Sequence, residues 1–386
     1  MTRSTRCNAR SLGTALLSTL LLSTLVLIQS AQAQTISVLY TFQGTPDGAQ
    51  VYGNLAGDRA GNSYGVTTQG GAFDKGTIFK IDSAGTETIL HNFNGDDGSP
   101  GYSGLTRDAE NNLYGVTLGG GAFGLGTVFK IDSVGNFQTL HSFSGAPDDG
   151  STPYSPIVIR DSAGNLYGTT TNGGTNDLGT VFKLDPAGNL TVLHSFSGTD
   201  GSLPTSGLIQ DSQGNLYGTA EDGGAFDRGT VFKIDADGNI TILHSFTDSE
   251  GAGPTTGLTS DAQGNFYGTT VGGGTFGNGT VYKLDPAGTL TVMHSFNAST
   301  EGIEPFGRLA QDNAGNLWGT TETEGPLSHG ALYKLDMSGH ITVYGFPDPA
   351  MGAFPFGGMI RDDQGNLYGG TTGGGIGVGT VYKISF

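Results

Sequence analysis

The sequence predicts an all-β fold: a seven-bladed β-propeller of four-stranded antiparallel blades. An N-terminal strand at about residues 35–42 is expected to complete the last blade and close the ring. Three observations predict it. A block of about 50 residues recurs seven times along the chain. Each block divides into four short apolar runs separated by turn sequences. The two ends of the array are fragments that complement one another.

The period is read from two markers. The aromatic of the Asn-Leu-Tyr-Gly element falls at Tyr64, Tyr114, Tyr167, Tyr217, Tyr267, Trp318 and Tyr368, with spacings of 50, 53, 50, 50, 51 and 50. The lysine of Gly-Thr-Val-Phe-Lys falls at Lys80, Lys130, Lys183, Lys233, Lys283, Lys334 and Lys383. The fourth block shows the elements in order. A first strand reads Gly207 to Asp211, and a turn at Asp211-Ser212-Gln213-Gly214 leads to the second, Asn-Leu-Tyr-Gly-Thr-Ala. A glycine-rich loop precedes the third strand, and a turn at Asp235-Ala236-Asp237-Gly238 leads to the fourth, which ends in His244-Ser245-Phe246. An aspartate at the first turn position caps the backbone through its side chain, and glycine at the last accepts a positive φ. Such tight connections make each block an antiparallel meander. The third and fourth strands are apolar on both faces, so each sheet needs a neighbour on either side.

The ends select a closed ring over an open solenoid. The segment Thr35 to Phe42 matches a fourth strand, with no first three strands before it. The seventh block stops after its third strand, at Phe386. Joining the two fragments removes both open edges and sets the count at seven.

Residues 1–33 read as a secretory signal, leaving residues 34–386 as the propeller. Arg3, Arg6 and Arg10 precede an apolar run from Leu12 to about Ile28, and Ala31-Gln32-Ala33 fits a cleavage site. A membrane anchor is the rival reading of that run. Cys7, the one cysteine, lies before the run, so no disulfide is expected in the exported product. Losing three arginines and no acid would take the net charge from −18 to −21. That charge repels nucleic acid and anionic lipid, and suits cations, neutral ligands or a basic partner. No other long apolar run is present, so a monomer outside the cytoplasm, in the periplasm or envelope or secreted, is expected.

The recurring text Gly-Asn-Leu-Tyr-Gly-Thr-Thr, Gly-Gly, Gly-Thr-Val-Phe-Lys-Leu-Asp and Thr-Val-Leu-His-Ser-Phe resembles the GloVer tandem-repeat family of exported bacterial proteins, over about residues 35–386. The resemblance implies a repeat architecture and, from the family's name, varied C-terminal anchoring signals. It implies no reaction, and no such anchor follows Phe386. The Asp-Gly-Asn-Leu-Tyr-Gly hairpin is also similar to exported propellers of the gluconolactonase and strictosidine-synthase type.

A catalytic centre needs each group once, so residues present in every blade are assigned to the scaffold. His91, His141, His194, His244 and His294 share one fourth-strand position and read as hydrogen-bonded edge residues. Equivalent histidines on sheets about 10 Å apart cannot share one metal ion. The seven lysines read as stems packed on the neighbouring blade, and the turn aspartates as caps. The inter-blade loops are acidic. Asp96, Asp97, Asp148 and Asp149 are the candidate metal ligands there, and calcium is the cation that such oxygen-rich loops take, although no twelve-residue calcium loop occurs. Solvated loops are the bland reading.

Tyr52, Tyr102, Tyr154, Phe306 and Phe356 sit just before the first strands and form an arc over contiguous blades. They are the candidate ligand-stacking residues, against a reading as inter-blade packing. Phe73, Phe123, Phe226 and Phe276 in the glycine-rich loops carry the same two readings. Glu221, Asp222, Glu322, Glu324 and His329 depart from the repeat and are the candidate acid–base or catalytic groups, against simple loop drift. The leading functional expectation is a non-catalytic module that binds a glycan or a cell-envelope partner. A metal-dependent hydrolase or lactonase-like enzyme and a structural envelope protein are the alternatives.

Overall fold

The computed structural model describes Met1 and residues 35–386, except 102, 155–156, 347–350 and 376. The signal segment expected at residues 1–33 and Tyr102 thus lie outside the described residues.

Seven four-stranded antiparallel sheets follow one another along the chain. The fourth blade shows the plan: Ile209–Gln210, Leu216–Ala220, Thr230–Ile234 and Ile240–Ser245, each paired with the next. The first strand is only two residues long in every blade. Among the described residues helix is almost absent, with one four-residue turn at Ala298–Glu301 capped by Asn297. The seventh blade is completed as expected. Thr35–Thr41 pairs antiparallel with Thr380–Ser385, from Thr35 opposite Ser385 to Thr41 opposite Thr380.

The core is not central. It consists of seven apolar clusters, each shared by two successive blades. One example packs Val231 and Phe246 of the fourth blade against Leu258, Tyr282 and Leu284 of the fifth. The cluster that joins Phe42, Tyr368 and Val381 of the seventh blade to Leu55 and Phe79 of the first closes the ring. Each buried aromatic or branched side chain contributes roughly 1.5–3 kcal/mol, so inter-blade packing dominates the folding energy.

The first turn of each blade is built around its aspartate. Asp211 Oδ1 accepts from the Gln213 and Asn215 amides, while Oδ2 accepts from Asn215 Nδ2 and the Tyr217 hydroxyl. In the sixth blade Trp318 Nε1 replaces the tyrosine hydroxyl, at 3.0 Å from Asp312. Burial alone would raise these carboxyls, yet the hydrogen bonds outweigh it and hold them below the usual range.

The repeated lysines and histidines have scaffold partners. The ammonium of Lys233 lies 5.8 Å from the Tyr217 ring centre, and that of Lys334 lies 5.7 Å from Trp318. These rings belong to the lysine's own blade, directly across the strand pair. The five histidines each meet an acid of the following loop: His91–Asp97, His141–Asp149, His194–Asp200, His244–Glu250 and His294–Glu301, at 2.8–3.2 Å. Tyr40 makes the same bond to Asp47 at the ring closure.

Candidate functional site

The loop that enters each blade is tied to that blade's own glycine-rich loop by a short antiparallel bridge, such as Ser202 with Asp222 and Ile303 with Thr323. Just after the bridge the chain turns left-handed. Gln50, Thr152, Leu203, Glu304 and Phe354 all have φ between 51° and 62°, and Gly253 takes the same place at 66°. Left-handed backbone costs a non-glycine residue roughly 1–2 kcal/mol. The residue two positions on is the payload of that turn: Tyr52, Tyr154, Thr205, Thr255, Phe306 and Phe356.

These six residues line one cavity of about 340 Å³. Among the described residues six blades contribute, and residues at the inner ends of six blades meet only on the ring axis. The cavity is therefore the mouth of the central channel, at the end of the blades opposite the aspartate turns. Phe306 stacks on Phe356 with ring centres 4.5 Å apart, and Tyr52 meets Phe356 edge-on at 5.1 Å. The aromatic wall is thus both packed against itself and open to the cavity, each ring remaining half-buried.

The floor has a different chemistry. Two residues before the first strand of each blade, the chain carries Gly104, Gly207, Gly257 and Gly358 in four blades. Neighbouring inner backbones approach closely here, and a Cβ on Gly358 would stand 2.7 Å from Arg308 backbone atoms. Asn54 occupies the position in the first blade and bonds across to the Gly358 amide at 2.6 Å. Arg308 occupies it in the sixth and runs alongside Gly257 of the fifth. Its guanidinium makes no hydrogen bond or ion pair among the described residues, and burial lowers its pKa. Thr255 presents a buried Oγ1 that also lacks a partner among the described residues, while the Thr205 hydroxyl stands beside the Glu221 carboxyl and acts to lower it. On the same cavity, Glu221 has its carboxyl raised, first by burial and then by the charge of Asp222 beside it.

Among the proposed acid–base residues, Glu221 alone lines this cavity. Asp222 and Glu324 are exposed. Glu322 is half-buried, its carboxyl raised by burial and then by Glu304. His329 packs edge-on against Phe354, and its carbonyl accepts from the Phe354 amide. Among the described residues no hydrogen bond or ion pair joins the fourth-blade carboxyls to those of the sixth. Of the proposed metal ligands, Asp97 is engaged by His91 and the Asn94 amide, and Asp149 by His141 and the Ser144 amide. Asp96 and Asp148 are exposed. Among the described residues no three His, Cys, Asp or Glu side chains cluster as metal ligands would. Phe73, Phe123, Phe226 and Phe276 stand out from their loops, 56–61% exposed, away from the cavity.

Arg308 was not singled out from the sequence. The signal was there: one charged residue at a position that is glycine in four siblings. A groove of about 510 Å³ between the fourth and fifth blades is larger than the mouth cavity. Its ionisable lining is Asp211, Tyr217, Lys233, Asp261 and Asp285, all repeated scaffold groups, so no charged departure from the pattern stands there.

Among solved structures, the chain is similar to virginiamycin B lyase from Staphylococcus aureus, at 13% identity and a TM-score of 0.64, covering 92% of this chain and 100% of that one. It is also similar to the extracellular domain of a hybrid two-component system from B. thetaiotaomicron, at 12% identity and a TM-score of 0.61, covering 90% of this chain and 40% of the other. Identities this low support the propeller fold alone. No curated protein matches the chain. The family model described as the Gloeobacter/Verrucomicrobia repeat matches residues 22–212 and 159–382, and the chain belongs to that family.

Proposed function

We propose that the protein is an exported binding propeller that recognises a glycan or another cell-envelope ligand at the mouth of its channel. One observation carries the reading. Tyr52, Tyr154, Phe306 and Phe356 wall a single axial cavity that also holds Arg308, Glu221 and the side chains of Thr205 and Thr255. Small-molecule sites typically combine an apolar wall with a few convergent polar groups, in volumes of roughly 300–1,000 Å³. The seven near-equivalent blades act as the rigid frame that holds these groups in register. Export is supported by the basic start, apolar run and small-residue site of residues 1–33. Among the described residues no helix is long and apolar enough to cross a membrane. A glycan array probed with the full chain and with Phe356→Ala tests the reading. Binding that survives the substitution undiminished removes the cavity reading, and no binding to any glycan removes the glycan.

A second reading has one observation in its favour. The Glu221 carboxyl is raised by burial inside the cavity, as a general acid is. A hydrolytic activity lost in Glu221→Gln but kept in Glu322→Gln would support it.

A further inference from the structure

Arg308 is the feature of the cavity that packing does not explain. A cation removed from bulk water costs several kcal/mol unless it is paired. Among the described residues the arginine–acid and arginine–carbonyl hydrogen bonds lie at the surface, such as Arg228 with Asp248 and Arg107 with the Gly57 carbonyl. Arg308 is half-buried on the wall of the axial cavity, at a position that is glycine in four of its siblings, and no carboxylate answers it among the described residues. Glu221 lies on the same cavity without pairing to it.

Resting on the axial-cavity reading above, we propose that Arg308 is the anchor for a single carboxylate on the ligand, so that the ligand class is an acidic sugar of the uronic-acid type. Three considerations lead there. The guanidinium presents a planar fork that matches a carboxylate through two parallel hydrogen bonds. One cation answers one negative charge, and the chain's net charge of −18 together with Glu221 disfavours a second. The remaining groups suit the rest of such a ring. Phe306 and Phe356 offer flat apolar faces, while the cavity-lining hydroxyls of Thr205 and Thr255 meet sugar hydroxyls.

The test is isothermal titration calorimetry of the full chain at pH 7. The probes are oligomers of galacturonic and glucuronic acid, the matching neutral oligomers of galactose and glucose, and a sulfated galactose oligomer. A uronic-acid oligomer is expected to bind at least tenfold tighter than its neutral counterpart. Arg308→Gly, the residue of four sibling blades, is expected to erase that preference, and Arg308→Lys to leave part of it. Arg308→Gly is also expected to raise the melting temperature of the ligand-free protein, because it removes an unanswered charge.

Equal binding of neutral and acidic oligomers, unaffected by Arg308→Gly but lost in Phe306→Ala, would overturn the carboxylate assignment and leave the cavity reading standing. Uronate binding unaffected by both substitutions would overturn both. Preference for the sulfated oligomer would overturn the carboxylate in favour of a sulfate ester. Failure of every uronate to bind, or a lowered melting temperature in Arg308→Gly, would also overturn the assignment.

Discussion

Three blades carry a hydroxyl where four carry none. The aromatic of the third strand is Phe79, Phe129, Phe182 and Phe232 in the first four blades, and Tyr282, Tyr333 and Tyr382 in the last three. All seven rings are fully buried. The three tyrosine hydroxyls are buried with no hydrogen-bond partner among the described residues. Each presses on the second strand of its own blade, 2.3–2.4 Å from the place a Cβ would take on Gly268, Gly319 or Gly369. An unsatisfied buried hydroxyl costs roughly 1–3 kcal/mol. The ring position itself is proven by the four phenylalanine blades, so removal of the oxygen leaves little cavity. Tyr282→Phe, Tyr333→Phe and Tyr382→Phe should therefore each stabilise the protein by about 1–2 kcal/mol. The three lie on separate sheets, so the triple variant should gain about 3–6 kcal/mol. Guanidinium unfolding followed by fluorescence of Trp318, the one tryptophan, reads this directly. A loss of more than about 1 kcal/mol in any single variant would refute the reasoning, because it would mean that the hydroxyl is held.

Other perturbations act on the turns and the loop latches. Asp312→Ala removes the acceptor of four hydrogen bonds, from the Ala314 and Asn316 amides, Asn316 Nδ2 and buried Trp318 Nε1. It should cost about 2–4 kcal/mol and shift the tryptophan emission; an unchanged denaturation midpoint would contradict that. The turn carboxyls are held below their ordinary value of 3.8, so the stability they supply is complete above that pH and is lost as pH falls through their folded values. Acid unfolding should accordingly begin below about pH 4. Glu87 has the opposite sign. Burial first, then the nearby charge of Asp47, raise its carboxyl from 4.5 to about 7. Its contribution is full below 4.5 and is lost as pH rises through about 7, so Glu87→Gln should remove that decline and leave the variant more stable than the parent at pH 8. Parallel pH profiles of the two proteins would count against it. His194 and Asp200 are 2.9 Å apart and largely buried, so a double-mutant cycle should return a coupling of about 1–2 kcal/mol; a value near zero would reduce the latch to a surface contact.

The blade count and the ring closure were legible because they depend on local pairing, which a repeat writes out seven times. Tyr217 faces Lys233 for the same reason that Tyr114 faces Lys130. The turn aspartates were legible too, since the cap and the residues it serves lie within six positions. The histidine latches were half legible. His91 and Asp97 are close in sequence, yet the loop acids read as solvated because nothing local shows that the loop folds back. The cavity is the part a linear reading reaches least. Its walls come from six blades, and whether Phe306 meets Phe356 depends on ring order and on the left-handed turn two residues earlier. Arg308 escaped notice because it breaks a glycine position, and the crowding that makes glycine necessary appears only when neighbouring inner backbones stand side by side.

The central claim is that ligand is held on the axis and not on the rim. Phe306 lines the cavity, whereas Phe226 stands exposed on its loop outside it. The affinity of the strongest glycan ligand for the parent, Phe306→Ala and Phe226→Ala proteins separates the two places. The account predicts at least a tenfold loss in Phe306→Ala, about 1.4 kcal/mol or more, and parental affinity in Phe226→Ala. The reverse pattern would contradict it.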